Sequence, residues 1–485
     1  MNKSKLLIFA LALLPIGNIA AEEVDTLKIV DVEEVLIIAA PKENRKLREL
    51  PNAVTLLSQQ DMQAAQVNSI KNLTALVPNI FIPDYGSRLT SAVYIRGIGS
   101  RINTPSVGLY VDNIPYIDKS AFDFDYSDIE RIDVLRGPQG TLYGRNAMGG
   151  LIKVHTKSPF SYQGTDFRIG AGTHNQYNTS VTHYHRMNER FAFSAGGFYE
   201  YEGGFFRNAA LNNKKVDKGQ SAGGRIRAIY LPSDNWKFDF NVSYEYGDQG
   251  GYPYGLYNKE TGDVAKTAYN DESSYYRNLL NAGLNVEYQA QNFTLSAVTG
   301  YQHLKDRMFL DQDFTAKNTY TLEQKQRINT ISEEIVMKSK ESHRWQWATG
   351  IFGFYQWLNT TAPVTFKEDG MAMMDQMLGN FIPALVEVPM GPGRNMNIMP
   401  ALKVTSARLP INGDFKTPLL NGALFHQSTF RDLFGIDGVS FTAGLRLDYE
   451  KMKMDYNSGT AMDYTIGITG QMMMNGAPTG KPISM

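Results

Sequence analysis

Apolar and polar residues alternate along much of the chain after Lys157. Between 235 and 246, every second residue from Trp236 to Tyr246 is aromatic or apolar, and those between are mostly polar or charged. A period of two places successive side chains on opposite faces of a β-strand. The segment 438–449 repeats the pattern. Both segments therefore predict strands with one apolar and one polar face.

Looser alternation in nine further segments raises the prediction to roughly eleven strands. These segments are 166–174, 176–186, 190–201, 221–230, 275–289, 292–302, 328–338, 345–357 and 420–431. The connections 231–235 and 290–292 are tight turns, whereas 247–273, 303–325 and 359–419 are long. Short turns on one side and long loops on the other are typical of an outer-membrane β-barrel.

A water-soluble β-sandwich is the alternative explanation of these strands. A sandwich would alternate in the same way, but its apolar face would favour Val, Ile and Leu. Here that face carries Tyr and Trp at strand ends, as in the aromatic girdles of membrane barrels. The pattern therefore favours an antiparallel barrel. In such a barrel the alternate apolar residues from Trp236 to Tyr246 would face lipid.

A compact α+β domain is predicted from residue 51 to residue 157. Val54–Leu57 predicts a strand, and Ser58 with Asp61 three residues later marks the start of a helix. Short strand-like runs follow, and glycines crowd the stretch 137–150. Such glycines indicate unusual backbone dihedral angles or close approach of another chain segment.

The first 50 residues predict an exported arm. Lys3 and Lys5 precede the apolar run Leu6–Ile16 and a small-residue cleavage site, so residues 1–21 are expected to form a signal peptide. Residues 22–50 then form a periplasmic arm. It contains one short extended apolar patch, made of Val32, Glu33, Glu34, Val35, Leu36, Ile37, Ile38 and Ala39. This patch is either an edge strand of the next domain or a segment that adds to a partner's sheet.

Composition narrows the function classes. The 485 residues carry a net charge of −1, so no basic field is present to attract nucleic acid. The chain has no cysteine, which excludes disulfides, thiolate zinc sites and cysteine nucleophiles. Mean hydropathy is −0.32, which suits a barrel because only alternate residues face lipid. The sequence has no nucleophile elbow, zinc-protease helix or phosphate-binding loop, so we expect no enzyme and no cofactor.

Three motifs then point to a family. Residues 130–150 read Glu-Arg-Ile-Asp-Val-Leu-Arg-Gly-Pro-Gln-Gly-Thr-Leu-Tyr-Gly-Arg-Asn-Ala-Met-Gly-Gly. They closely resemble the plug-domain signature of TonB-dependent receptors, and Tyr94–Gly97 and Gly108–Pro115 resemble two further plug motifs of that family. The resemblance implies a ~22-stranded barrel with a plugged lumen. It makes 51–157 the plug and 158–485 part of the barrel.

The same resemblance implies partners and site residues. The patch Val32–Ala39 is similar in position to the segment that the inner-membrane TonB complex pulls. In the family, plug arginines pair with barrel carboxylates, so Arg96 and Arg136 are expected to contact Glu334, which strand parity places on the lumen face. Loops that face outward by analogy give tentative ligand contacts, namely Tyr85, Arg88, Arg101 and Asn103. Each arginine has a plainer alternative, which is solvation in a wet lumen or loop.

The expected function is energy-coupled uptake of a small metal chelate across the outer membrane. An iron-siderophore complex is the first expectation, with cobalamin or another metal complex as alternatives. A passive porin would lack both plug and TonB segment. Roughly eleven strands would leave half a barrel missing, so the chain is expected to be a fragment or to be completed by another polypeptide, and a receptor that binds without transporting stays open.

A methionine-rich loop offers one further candidate. It holds Met371, Met373, Met374, Met377, Met390, Met396 and Met399. Thioethers bind Cu(I), but an adaptable apolar loop is the plainer explanation of the same residues. We therefore predict no resident metal.

Overall fold

The computed structural model describes residues 42, 53–90, 92–101, 104–124, 128–340, 344–380 and 385–484. The predicted signal peptide lies outside these ranges, and so does the predicted periplasmic arm except for Lys42. None of the helices in the described ranges is long and apolar enough to cross a membrane.

The first unit of the described chain is a small α+β domain. Its elements are β1 (Ala53–Ser58), α1 (Gln59–Ala64), α2 (Leu73–Leu76), β2 (Ile80–Phe81), β3 (Tyr94–Ile95), β4 (Val107–Val111), β5 (Ile114–Tyr116), β6 (Ile129–Arg136), α3 (Gly140–Tyr143) and β7 (Gly150–Thr156). Five strands form one sheet in the order β1-β6-β7-β4-β5, in which β4 and β7 are parallel. We call this unit the plug.

Local chemistry accounts for the start of the plug. The Ser58 side chain accepts the Asp61 backbone N–H, and the Asp61 carboxylate accepts the Ser58 N–H, so both partners of a capping box are present. Ile132, Val134 and Ile152 from the sheet are fully buried together with Ile70 and Leu73. The predicted strand and helix start are confirmed.

The second unit is a large antiparallel sheet with extensions at one end. Its elements are β8 (Gly164–Gly172), β9 (Gln176–Arg186), β10 (Phe191–Glu202), β11 (Arg207–Asn208), β12 (Lys214–Lys215), β13 (Gly219–Ser233), β14 (Trp236–Gly250), β15 (Ser274–Gln289), β16 (Phe293–Asp311), β17 (Tyr320–Ser339), β18 (Trp345–Thr361), β19 (Val364–Phe366), α4 (Glu368–Gly379), β20 (Val386–Gly391), β21 (Arg394–Val404), β22 (Leu409–Lys416), β23 (Leu419–Phe430), β24 (Phe441–Met452), β25 (Asp455–Gly459), β26 (Tyr464–Met474), β27 (Ala477–Pro478) and β28 (Ile483–Ser484).

The long strands follow one another in chain order. They pair as β8-β9-β10-β13-β14-β15-β16-β17-β18-β23-β24. Each of the eleven predicted strands corresponds to one of these. Within the described ranges, β8 and β24 are the two ends of this path, and the sheet is not closed into a barrel. The mainly β fold with an incomplete barrel is confirmed.

Burial along β14 decides between barrel and sandwich. The apolar set is outside, with Trp236 40%, Phe240 44% and Tyr244 47% exposed. The polar set faces inward, with Asp239 3% and Glu245 5% exposed. A sandwich would bury the apolar face. The apolar face is therefore the outer surface of this sheet, and the polar face covers the plug.

Two predicted loops differ from the structure. The loop 303–325 is short, because β16 continues to Asp311 and β17 begins at Tyr320. Above Tyr301 the outward residues are polar, including His303, Lys305 and Arg307, so the hydrophobic alternation ends while backbone pairing continues. The predicted loop 359–419 contains β19 to β22 and α4. A separate sheet joins β20, β21, β26 and β27, with β28 beside β26.

Candidate functional site

The predicted TonB segment, Val32 to Ala39, lies outside the described residues, and so does the predicted ligand contact Asn103. Their roles stay predictions. The remaining predicted site residues are described, and Arg88 and Glu334 lie where the plug meets the sheet.

Glu334 has a different partner from the one predicted. Its carboxylate faces the plug, as strand parity predicts, and lies 2.5 Å from the Lys42 ammonium. Arg136 instead donates to the Pro78 carbonyl of the plug at 3.1 Å. Arg96 is exposed in a left-handed turn with φ 53°. The expected contact of Arg96 and Arg136 with Glu334 is thus corrected, because one arginine bonds its own domain and the other points to solvent.

Lys42 is enclosed at this site. Its ammonium lies 4.4 Å from the Tyr143 ring centre and 5.5 Å from that of Phe425. Burial lowers the pKa of Lys42, and the Glu334 charge opposes that shift. A cation held by a carboxylate and aromatic faces anchors the chain that leads into the plug.

Arg88 is an interior residue, not an outward ligand contact. Its side chain is 18% exposed and lies 3.8 Å from Asp123 and 3.6 Å from Glu200, with Glu245 in direct contact. Burial alone would lower the pKa of Arg88, but the three carboxylates raise it. Because Glu200 and Glu245 belong to β10 and β14, Arg88 holds the plug to the sheet. The tentative assignment of Arg88 to ligand is corrected accordingly.

Arg277 also joins plug and sheet, but it belongs to the sheet and bonds to the plug. This fully buried residue of β15 donates to the carbonyls of Ser120 at 2.9 Å and Asp123 at 2.6 Å. It also contacts Glu245. Burial would raise the pKa of the Asp123 carboxyl, but Arg88, Lys71 and Arg277 lower it. The plug segment 118–124 is therefore fixed to the sheet by hydrogen bonds and charge.

Two arginines of β13 continue this contact. Arg225 pairs with Asp128 of the plug. Arg227 forms a two-pronged pair with Asp239 at 2.9 and 2.8 Å and donates to the Thr156 carbonyl at 3.0 Å. We call the set Glu200, Arg225, Arg227, Glu245 and Arg277 the charged wall. The sequence pattern places Glu245 on the polar side of its strand but does not predict the charged wall.

The later strands contact the plug in another way. Their buried apolar side chains form shared clusters with the plug, and we call them the apolar wall: Leu304, Ile328, Val336, Phe352, Phe354, Leu419 and Phe425. Phe425 is 1% exposed and packs in one cluster with Leu142 and Tyr143 of α3. This wall is held by burial of apolar surface.

A glycine notch marks the boundary between the two walls. Gly283 of β15 and Gly300 of β16 are register partners, and Ile114 of the plug points at both. A Cβ at Gly300 would lie 3.0 Å from Ile114 Cγ2, and one at Gly283 would collide with Ile114 Cδ1. Isolated glycines within strands are a known signal of close backbone approach. The signal at Gly283 and Gly300 was not used to predict this contact.

The candidate ligand-binding face lies at the long-loop end of the plug. Arg101 is exposed, and its guanidinium carbon lies 4.7 Å from the Tyr85 ring centre. The Tyr254 hydroxyl, from the loop between β14 and β15, donates to the Tyr85 carbonyl at 2.6 Å. Burial raises the pKa of the Tyr85 phenol. Two tyrosines and one cation from plug and loop therefore form a single surface.

The methionines of the predicted loop lie on three elements, α4, β20 and β21. Met371 is buried in α4, Met373 and Met377 of that helix are exposed, and Met390 and Met399 belong to β20 and β21. Across the described ranges, no group of three His, Asp or Glu side chains is placed to hold a metal ion.

Known proteins share this architecture. Residues 46–151 match the family model described as TonB-dependent Receptor Plug Domain. Residues 46–151 therefore form the plug domain of a TonB-dependent receptor. This match confirms the predicted outer-membrane location.

Curated relatives of this chain are named as transporters and receptors. It is 30% identical over 278 residues to the vitamin B12 transporter BtuB of Vibrio vulnificus, covering 53% of this chain and 42% of that protein. It is 26% identical over 218 residues to the pesticin receptor of Yersinia pestis, covering 44% and 32%. The prediction of no enzyme agrees with these names. The chain spans less than half the length of these relatives.

Solved structures share the fold of this chain. The ferric yersiniabactin uptake receptor FyuA of Yersinia pestis aligns with a TM-score of 0.59 at 16% identity, over 87% of this chain and 62% of that one. The ferripyoverdine receptor of the outer membrane of Pseudomonas aeruginosa aligns with a TM-score of 0.54 at 11% identity, over 90% and 72%.

Proposed function

We propose that this chain forms the plug and part of the barrel of a receptor that imports a ferric chelate, driven by the inner-membrane TonB complex. The observation that carries the proposal is a folded plug seated against the polar face of barrel strands. A passive pore needs a continuous aqueous channel. A plug tied down by ion pairs and apolar contacts instead requires energy before cargo passes.

The proposed cargo class rests on the ligand-binding face. Arg101 above Tyr85 offers a cation beside aromatic surface, which suits an anionic chelate with flat organic groups. Two solved neighbours are named for ferric chelates. Cobalamin is the second candidate, because a relative named for vitamin B12 transport has the higher sequence identity.

Growth tests separate these cargoes. A strain lacking the receptor is grown on defined ferric chelates or on cobalamin as limiting nutrient, and the receptor gene is then restored. We expect restored growth on an anionic ferric chelate. Restoration on cobalamin alone would replace the first candidate with the second, and restoration on neither would contradict metal-complex uptake.

A single substitution tests the binding face. Arg101→Ala is expected to weaken binding of the ferric chelate by about tenfold, the loss of one charge-assisted contact. Lys259→Ala removes an exposed cation from the loop that carries Tyr254 and serves as the matched control. Binding is measured by fluorescence quenching on purified receptor. Equal effects of the two substitutions would remove Arg101 from the site.

The TonB segment is tested through its backbone. Strand addition needs backbone N–H donors, which proline lacks. Ile37→Pro is expected to abolish uptake and leave chelate binding intact, whereas Ile37→Val should preserve both. Unchanged uptake in Ile37→Pro would show that energy coupling does not use this segment as a strand.

A further inference from the structure

We propose that the plug separates from the charged wall, while the apolar wall holds it, so that cargo passes along β10, β13 and β14. The inference rests on the uptake function proposed above and adds the route. It follows from three differences between the walls: the chemistry of contact, the space beside it and the side chains of the strands.

Contact chemistry makes the charged wall the easier side to open. When Arg225 leaves Asp128, or Arg88 leaves Glu245, water can solvate both ions, so the net change is small in a wet lumen. Opening the apolar wall would expose Phe352 and other buried rings to water with no compensating contact. A pull on the plug therefore breaks the charged wall first.

Space is already present beside the charged wall. A cavity of about 30 Å³ lies between plug and strands, whereas a water molecule needs roughly 10–15 Å³. Phe124 and Asp128 line it from the plug, and Arg225, Ser243, Glu245 and Asn281 line it from the strands. A cavity beside Phe352 of the apolar wall measures only about 10 Å³. The charged wall thus has room for water before any movement of the plug.

The strands at this cavity include four glycines. Gly196 and Gly197 of β10 adjoin Gly223 and Gly224 of β13, and Gly197 pairs with Gly224 in register. Three of these glycines line the cavity. Strand interiors without side chains allow another backbone or a ligand to approach closely. Strand parity directs Gly196 and Gly223 inward, on the same face as Arg225, so neither adds a side chain of its own on the plug side.

Reversible bridging tests the route, since the chain has no native cysteine. Asp128→Cys with Arg225→Cys joins plug and charged wall through a short bis-methanethiosulfonate reagent. Asp128→Cys with Ser243→Cys bridges the same cavity and leaves Arg225 in place. Thr141→Cys with Gly444→Cys bridges the far side, where a Cβ at Gly444 would lie 2.6 Å from Thr141 Cγ2. Uptake and binding of the ferric chelate are measured in the outer membrane before bridging, after it, and after reduction.

The charged-wall bridges are expected to lower uptake by about tenfold or more, because separation of the plug from this wall becomes rate-limiting. Reductant cleaves the bridges and should restore uptake. The Thr141–Gly444 bridge should change uptake by less than about twofold. Binding should be unchanged in all three. Full uptake with the charged wall bridged, or equal loss with either side bridged, would overturn the route. Absent uptake in the unbridged parent would instead contradict the proposed function.

Discussion

The charged wall and the apolar wall hold the same plug by different forces. Arg277 and Arg88 place buried charge between plug and strands, and every such charge has an opposite partner within the described chain. Phe425 and its neighbours form a buried apolar cluster, and the Lys42–Glu334 pair lies beside it. The strength of the charged-wall contact depends on pH and on which charged residues are paired. The strength of the apolar-wall contact depends on packing. One domain can therefore be both secured and releasable.

The largest effect should come from breaking the charged wall at its centre. Arg277→Met leaves Glu245 with Arg88 as its remaining partner and leaves two buried plug carbonyls without a donor, at a cost of about 3–5 kcal/mol. The measurement is the midpoint of plug unfolding in denaturant. Arg307→Met, at an outward pair with Glu323, is the control and should cost at most about 1 kcal/mol. Equal midpoints for both variants would remove Arg277 from the plug contact.

The glycine notch should give the next effect. Gly283→Ala forces a methyl group into Ile114, and overpacking of this kind costs about 1–3 kcal/mol. Gly247→Ala is the matched control, because no atom lies within 4 Å of a Cβ there. Adding Ile114→Ala to Gly283→Ala should recover part of the loss. Additive losses in that double variant would contradict direct contact.

Acid should loosen the charged wall and spare the apolar wall. The pKa of Asp123 is lowered in the folded protein, so its contribution is fully present above the unfolded value of about 3.9 and is lost as pH falls through the folded pKa. Spin labels at Lys119→Cys and Thr141→Cys report on the two sides. The label at 119 should become mobile below about pH 4 while that at 141 stays fixed. Mobility rising at 119 between pH 7 and 5 would contradict this assignment.

Much of the fold follows from local pattern. Alternation in 235–246 gave the strand and its two faces, and Ser58 with Asp61 gave the helix start. The alternation was not recognised where β16 and β17 rise beyond the apolar band, because the outward residues His303, Lys305 and Arg307 are polar there and the inward face carries apolar residues such as Leu304.

Less of the contact between plug and sheet could be predicted from the sequence. Arg88 and Glu245 are 157 positions apart, and only the docked position of the plug brings them together. Parity placed Glu245 and Glu334 inward but could not choose their partners, so Arg96 and Arg136 were assigned where Lys42 lies. Gly283 and Gly300 carried a usable signal of close approach.

A plugged barrel requires the outer face of the alternating strands to meet lipid while the inner face meets the plug. Single cysteines from Trp236 to Tyr246 can be spin-labelled in turn in the outer membrane, and collision with oxygen and with a water-soluble nickel chelate recorded. Oxygen accessibility should peak at Trp236, Phe240 and Tyr244 and fall at Asp239 and Glu245. Oxygen peaks at Asp239 and Glu245, or no alternation, would contradict it.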